Sequence, residues 1–363
     1  MVIKRADLLS VLKQCLPGVE GGNVTLEGAD TFIFSGGSIY TYNDIMSVRV
    51  PITETGLIEE PLEGAVKASE FFNVINKLSG EEIKASNVDG KWLLKCGKAK
   101  IELNLINFDY KTRLSNVDIE QAKWTELPKD FQTCIGLCKM AGNRSSLSGV
   151  LCQDNFVLST DGWQINKAVM EGTELPLFWV SDTAVTEILK LTGLKEMSIT
   201  GEGSWAHFKT ETGCIFSVKT LQAGKWPVSK LLGLLEEHQK TENDISGIFP
   251  KELFAAIDRA SSFSMELDDY ETVNLLLEEK GITVSAQRTA GKYSELVPWG
   301  ENATPLNITE FKTSVSSTMM AHVGKRSLSF YIHTIQKGEN AVSRIIFISD
   351  NSQHLLSTFQ TKE

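Results

Sequence analysis

Long apolar runs are missing from this sequence. No stretch of 18 or more apolar residues occurs, so no bilayer-spanning helix is predicted. Near the N-terminus, Leu8-Leu9-Ser10-Val11-Leu12 is interrupted by Lys13 and is too short and too charged for a secretory leader. A soluble, cytoplasmic protein with no membrane contact is expected. Cysteine is sparse, six in 363 residues, which argues against a disulfide-built scaffold and fits reduced thiols in a core. Cys134 and Cys138 share one helix face at a four-residue spacing, but no second Cys or His pair completes a zinc set. Neither a metal nor an organic cofactor is therefore expected.

Signatures of catalysis are missing too. Gly201-Glu202-Gly203 lacks the third glycine of a dinucleotide loop and falls between strand patterns, so it is predicted to be a turn. No phosphate-cradling lysine loop, nucleophile elbow or paired-histidine metal motif is found. The acidic run Glu266, Asp268, Asp269, Glu271 lacks the glycine and the distant glutamate of a calcium loop and is expected to be a solvated loop. The five histidines lie in the second half of the chain, and His207 and His333 fall on strand patterns. The chain is not expected to be an enzyme.

What the sequence does have is repetition. At intervals of about 60 residues an amphipathic helical segment is followed by short alternating strands. The segments run Lys4 to Leu16, Lys67 to Leu78, Lys129 to Ala141, Ser181 to Leu191, Pro250 to Ser262 and Asn307 to Met319. Each carries apolar residues at helical spacing, for example Leu8, Leu12 and Cys15, or Phe311, Val315 and Met319. Each has an acid in or near its first turn (Asp7, Glu70, Asp130, Asp182, Glu252, Glu310), where unpaired N–H groups and the helix dipole favour negative charge.

Between the helices the period changes to two. Glu82 to Leu105 reads as strands broken at Asp89-Gly90 and Gly97, Met197 to Leu221 as strands broken around Gly201 and Gly213, and Leu328 to Ile348 as strands broken at Lys337-Gly338. Several strands after each lone helix argue for antiparallel α+β layers over parallel βαβ units. Pairing the six units predicts three tandem domains, 1–122, 123–245 and 246–363, each long enough for its own core. Linkers are predicted at Gln121-Ala122-Lys123 and Asn243-Asp244-Ile245-Ser246.

The formal net charge is -10, which counts against a nucleic-acid protein. Its distribution weakens that objection, because the six helical segments hold eleven Lys or Arg against eight Asp or Glu. Lys13, Lys77, Lys139, Lys190, Arg259 and Lys312 follow the first turns, so a surface built from these helices would attract phosphates while the rest repels them.

These features resemble the bacterial sliding clamp, the beta subunit of DNA polymerase III. Ser159-Thr160-Asp161-Gly162-Trp163-Gln164-Ile165 is similar to the family's Thr-Asp-Gly-His-Arg-Leu stretch. Phe216-Ser217-Val218-Lys219-Thr220-Leu221, followed by Gly224-Lys225-Trp226-Pro227, is similar to its Ser-Lys-Leu, Gly and Phe-Pro sequence. Val66-Lys67-Ala68-Ser69-Glu70-Phe71-Phe72 looks like the entry to the family's second helix. The order and spacing of these strings fit over the whole chain, at low identity. Departures fall on partner-binding positions: Trp163-Gln164 stands where the family has His-Arg, Val228 replaces an acid, and the C-terminal Phe359-Gln360-Thr361-Lys362-Glu363 replaces an apolar tail. A divergent member with altered peptide selectivity is implied.

The resemblance implies three clamp domains, each with two helices on antiparallel sheets, forming half of a ring. Two chains would close head to tail around duplex DNA without base readout, tethering a polymerase and binding the clamp loader through a short peptide. It implies DNA contacts at Asn143, Arg144 and Ser145 and, on the equivalent first-domain loop, Asn23. It implies a partner-peptide groove lined by Leu147, Thr160, Gly162, Trp163, Gln164, Ile165, Pro227, Leu232 and Phe359, and a homodimer seam joining Ile101 and Leu103 to the segment around Phe263. Two other classes are left open: a clamp-like scaffold that binds replication partners without encircling DNA, and an enzyme whose site is assembled from scattered residues.

Overall fold

The computed structural model describes residues 2–21, 26–57, 62–88, 90–140, 149–222, 226–267, 270–300, 305–308, 310–324, 327–337 and 340–358. These contain eight α-helices: α1 (Arg5–Cys15), α2 (Ala68–Lys77), α3 (Tyr110–Ser115), α4 (Phe131–Cys138), α5 (Asp182–Ile188), α6 (Val228–Glu237), α7 (Glu252–Ser261) and α8 (Ser317–Gly324). Five match predicted helices. In α1, Asp7 stands in the first turn, Lys13 in the last, and Leu8, Leu12 and Cys15 are buried. Pro17, which cannot donate the next backbone hydrogen bond, stands in the short 3-10 turn Leu16–Gly18 that follows α1. Gly18 is required there, since a Cβ would lie 2.3 Å from Thr41 Oγ1, the hydroxyl that donates to the Cys15 carbonyl at 2.7 Å.

The sixth helix is a correction. Phe311–Ser316 is a strand, and α8 begins only at Ser317, burying Met319, Met320 and Val323. Alternate residues Thr313 and Val315 are buried on the strand, and both are β-branched, which favours a pleated surface over a helix. Helices α3 and α6 were not predicted. The second predicted linker is corrected in part, because Ile245 and Ser246 already belong to the strand Ile245–Ile248. The acidic run is also corrected: Glu266 and Glu271 lie on paired strands of a hairpin, and Asp268 and Asp269 lie outside the described residues.

Contacts divide the chain into two compact units. The first comprises Met1–Pro128 and Thr183–Leu221. Its eight-stranded sheet runs β5 (Gly64–Lys67), β2 (Thr31–Ser35), β3 (Ser38–Asn43), β4 (Met46–Pro51), β16 (Ile215–Lys219), β15 (Trp205–Thr210), β14 (Leu194–Thr200) and β9 (Thr125–Glu126). β4 and β16 are distant in sequence but antiparallel neighbours, paired from Ile215 opposite Arg49 to Val218 opposite Met46. A second, four-stranded sheet runs β1 (Val2–Lys4), β6 (Glu82–Val88), β7 (Lys91–Cys96) and β8 (Ala99–Asn104), leaving β8 at an edge.

The second unit comprises Lys129–Asp182 and Gln222–Glu363. Its eight-stranded sheet runs β13 (Leu175–Val180), β10 (Val150–Asp154), β11 (Phe156–Thr160), β12 (Gln164–Val169), β25 (Ser352–Ser357), β24 (Asn340–Ser349), β23 (Ser329–Lys337) and β17 (Ile245–Ile248). Here the long-range seam pairs β12 with β25, from Gln164 opposite Leu356 to Ala168 opposite Ser352. A five-stranded sheet runs β18 (Met265–Leu267), β19 (Tyr270–Glu278), β20 (Gly281–Arg288) and β21 (Gly291–Pro298), with β22 (Phe311–Ser316) on β19 and β21 at an edge. Every sheet pairing among the described residues is antiparallel, as the strand runs predicted.

Candidate partner groove and nucleic-acid interface

Several residues predicted for the partner groove fall on or near α6 in the second unit. The chain enters that helix through Trp226 and Pro227, and α6 lays Leu231 and Leu235 on the sheet. There they meet Leu151, Leu158, Ile165, Trp179, Tyr331, Ile346 and Leu355 in one buried cluster. Trp179 and Trp226 cross edge to face with centroids 5.4 Å apart. Strand register explains the convergence: Ile165 is opposite Leu355, Leu355 opposite Ile346, and Ile346 opposite Tyr331. Ile165 is therefore in the cluster. Leu232 and Pro227 are half-buried on and before α6.

The turn before β12 is set by Asp161, whose carboxylate accepts from the Trp163 and Gln164 amides, each at 3.0 Å, and from Gln164 Nε2 at 2.8 Å. Thr160 is buried and donates to the Gln164 carbonyl at 2.7 Å, and Gly162 takes φ +94°. Gln164 is buried. Trp163 goes elsewhere: its half-buried ring packs against the cluster formed by α7, α8 and the C-terminal strands, away from the α6 cluster. Trp179, Trp226, Leu231 and Leu355 complete the α6 cluster and were not among the predicted residues. Trp226, immediately before the helix-starting Pro227, carried the one available sequence signal.

Cations follow the helices less regularly than predicted. Lys13 is in the last turn of α1 and Lys77 is the last residue of α2, both exposed. Lys139 is the half-buried C-cap of α4. Its charge lowers the pKa of Asp182, although burial, the larger effect, leaves that carboxyl raised. Lys190 lies just beyond α5 and pairs with Glu187 at 2.7 Å. In the first unit, Lys13, Lys190, Glu187, Ser10, Gln14 and Phe216 help line a cavity of about 680 Å³.

Two placements correct the helix-face expectation. Lys312 is on β22 opposite Leu276, exposed, because the helix starts later than predicted. Arg259, in the last turn of α7, is held by Glu295 at 2.8 Å and by the Tyr293 hydroxyl at 3.1 Å. Tyr293 and Arg259 both hydrogen-bond Glu295 and hold its carboxyl below the usual range. Asn23, Asn143, Arg144, Ser145, Leu147 and Phe359 lie outside the described residues.

For the predicted dimer seam, Ile101 and Leu103 are half-buried on the edge strand β8, opposite Leu94 and Trp92. Phe263 stacks on Tyr293 of the edge strand β21, with centroids 6.3 Å apart. Both units thus carry an edge strand, with Ile101 and Leu103 on β8 and Phe263 against Tyr293 of β21. Among the described residues no group of three or more His, Cys, Asp or Glu side chains converges to hold a metal, and no helix is long and apolar enough to cross a membrane.

No protein-family model matches the sequence, and no curated protein matches it. Solved structures do. The beta subunit of DNA polymerase from Streptococcus pyogenes superposes at a TM-score of 0.79 and 18% identity, with 99% of each chain covered. The DNA polymerase sliding clamp from Bacillus subtilis gives 0.77 at 19% identity, and the DNA polymerase III beta chain from Streptococcus pneumoniae gives 0.78 at 16%, again with 99% of each chain covered. The chain has the three-domain sliding-clamp fold.

Proposed function

We propose that the protein is a DNA polymerase processivity clamp. The carrying observation is the full-length likeness to sliding clamps at 99% coverage of both chains, because a fold shared from end to end keeps all six repeat units that half a ring requires. The repeat supports division into domains 1–122, 123–245 and 246–363, with α3 and α6 in the connections. Two chains would join head to tail through β8 and β21, removing both open edges. The ring would encircle duplex DNA without reading bases, act in the cytoplasm, and hold polymerase and clamp loader through a short peptide laid beside α6. Its work is mechanical linkage, with no reaction of its own.

The scaffold reading draws support from the cations. Arg259 is spent on Glu295, Lys190 on Glu187, and Lys312 stands on a strand, so the phosphate-attracting surface is thinner than the sequence suggests. Topology separates the two readings. A ring loaded on nicked circular DNA is expected to survive a high-salt wash and to leave once the DNA is linearised, whereas phosphate-driven binding falls steeply with salt on any DNA. Equal retention on circular and linear DNA would replace the clamp with the scaffold.

A further inference from the structure

The solvent face of the four-stranded sheet in the first unit carries a ladder of lysines. Lys84 on β6 is directly opposite Lys95 on β7, and Lys95 is directly opposite Lys100 on β8. Residues opposite one another in an antiparallel pair share a side of the sheet, so the three ammonium groups stand in one row. All three are exposed, and Lys98 in the turn between β7 and β8 adds a fourth exposed cation at the end of the row. The alternate residues Ile83, Ala85, Trp92, Leu94 and Cys96 are buried, with Trp92 edge to face against Phe71 of α2 at 5.9 Å. The ladder is therefore on the side of the sheet turned away from α2.

Like charges set directly opposite one another destabilise a sheet. None of the three lysines is in an ion pair with a described residue. The carboxylates on the same face have cations of their own: Glu102 pairs with Lys91, and Glu82 is opposite Lys4. In a chain of net charge -10, the row is a local reversal of sign. Cations at the helices are by contrast partly neutralised, Lys190 by Glu187 and Arg259 by Glu295.

We propose that this face is a docking surface for the phosphate backbone of double-stranded DNA, separate from the helix faces and independent of ring closure. Charge density selects the occupant. Neighbouring strands are about 4.8 Å apart, so the ladder presents three charges within about 10 Å. A duplex supplies about one negative charge per 1.7 Å of its axis and releases condensed counterions as lysines neutralise its phosphates. An extended acidic peptide would turn only one carboxylate to the face per roughly 6.6 Å. The row consists of Val2 and lysines, so it holds no large apolar anchor for a peptide and no aromatic ring on which single-stranded bases would stack. Lysine, a compact point charge, takes phosphates without reading bases.

The test is fluorescence anisotropy of a labelled linear duplex of about 20 base pairs against the full chain, from about 50 to 200 mM salt. The wild type is compared with the triple variant Lys84→Gln, Lys95→Gln, Lys100→Gln. Three lost phosphate contacts should lower the slope of log affinity against log salt by about 2.7 and weaken binding at the low-salt end about tenfold or more. The same three positions changed to Arg should keep the wild-type slope. The loss should be the same in a Lys13→Gln, Lys190→Gln background, which separates this face from the helix side. An unchanged slope in the triple Gln variant would overturn the proposal while leaving the ring, tested by retention on circular DNA, untouched. Wild-type preference for a single strand of equal length would overturn the duplex assignment. A ladder-dependent loss seen only with a Glu-rich peptide, or only with phosphatidylglycerol vesicles, would overturn it in favour of that occupant. Removing like charges should hold or raise the melting temperature; if the triple variant does not fold, Lys95→Gln alone decides, with an expected slope change of about 0.9.

Discussion

The two eight-stranded sheets are built alike and covered differently. Each is closed by one long-range antiparallel seam, β4 with β16 in the first unit and β12 with β25 in the second. In the first, the connection after α3 covers a small cluster of three buried residues, Tyr42, Val117 and Trp205, with Leu26 and Ile119 packed against it. In the second, α6 helps bury ten residues, two of them tryptophans. The backbone plan is therefore common to both, and the difference in the buried clusters comes from the side chains that the connecting segment brings to the sheet. A long amphipathic connection adds two helix residues and a tryptophan to a large buried cluster; a short one completes a small cluster.

The largest effects should separate the two coverings. Trp179→Ala in the α6 cluster should cost about 3–5 kcal/mol in denaturant unfolding, the range for emptying a buried aromatic site. Val117→Ala in the small cluster should cost only about 1–2 kcal/mol, near the value of the methyl groups removed. The reverse ranking would mean that the smaller cluster is the more heavily used and would break the comparison.

Acid should strike the first sheet through His207. The ring is fully buried between the Thr200 hydroxyl at 2.7 Å and the Ser217 hydroxyl at 2.8 Å. Burial pushes its pKa down from 6.5 to about 4. The unfolded chain binds the extra proton first, so this contribution to stability is complete above about pH 6.5 and is lost as pH falls toward 4, about 3 kcal/mol in all. His207→Gln should flatten that stretch of the stability curve. A slope between pH 7 and 5 that survives the substitution would assign the acid sensitivity to other groups.

The open edges come next. Leu103→Asp on β8 would leave an unpaired carboxylate in the proposed seam and should weaken dimerisation by about 2 kcal/mol, roughly thirtyfold in dissociation constant. Light scattering of the wild type at tens of micromolar should give a dimer. A wild-type monomer at that concentration would end the simple ring. The smallest effect belongs to exposed charge: Lys13→Glu with Lys190→Glu, on the cavity of the first unit, should reduce DNA loading about fivefold at low salt and less as salt rises. Unchanged loading would take the first unit's cavity off the DNA path.

Local periodicity made much of this protein legible. An acid in or just before the first turn and apolar residues on one face located α1, α2, α4, α5 and α7, because those signals act within a single helix. They failed at Phe311, Val315 and Met319, where apolar spacing fits a helix but β-branched residues pairing with β19 make a strand and delay α8. The repeat likewise predicted the antiparallel sheets, since helices and strands of fixed length recur. What the sequence could not show was which distant strands become neighbours. Only the β12–β25 seam brings Ile165 to Leu355, and only the packed structure turns Trp163 toward a different cluster from Ile165 and gives Arg259 of α7 to Glu295 of β21. Those outcomes depend on long-range strand pairing and burial, which no window of a few residues contains.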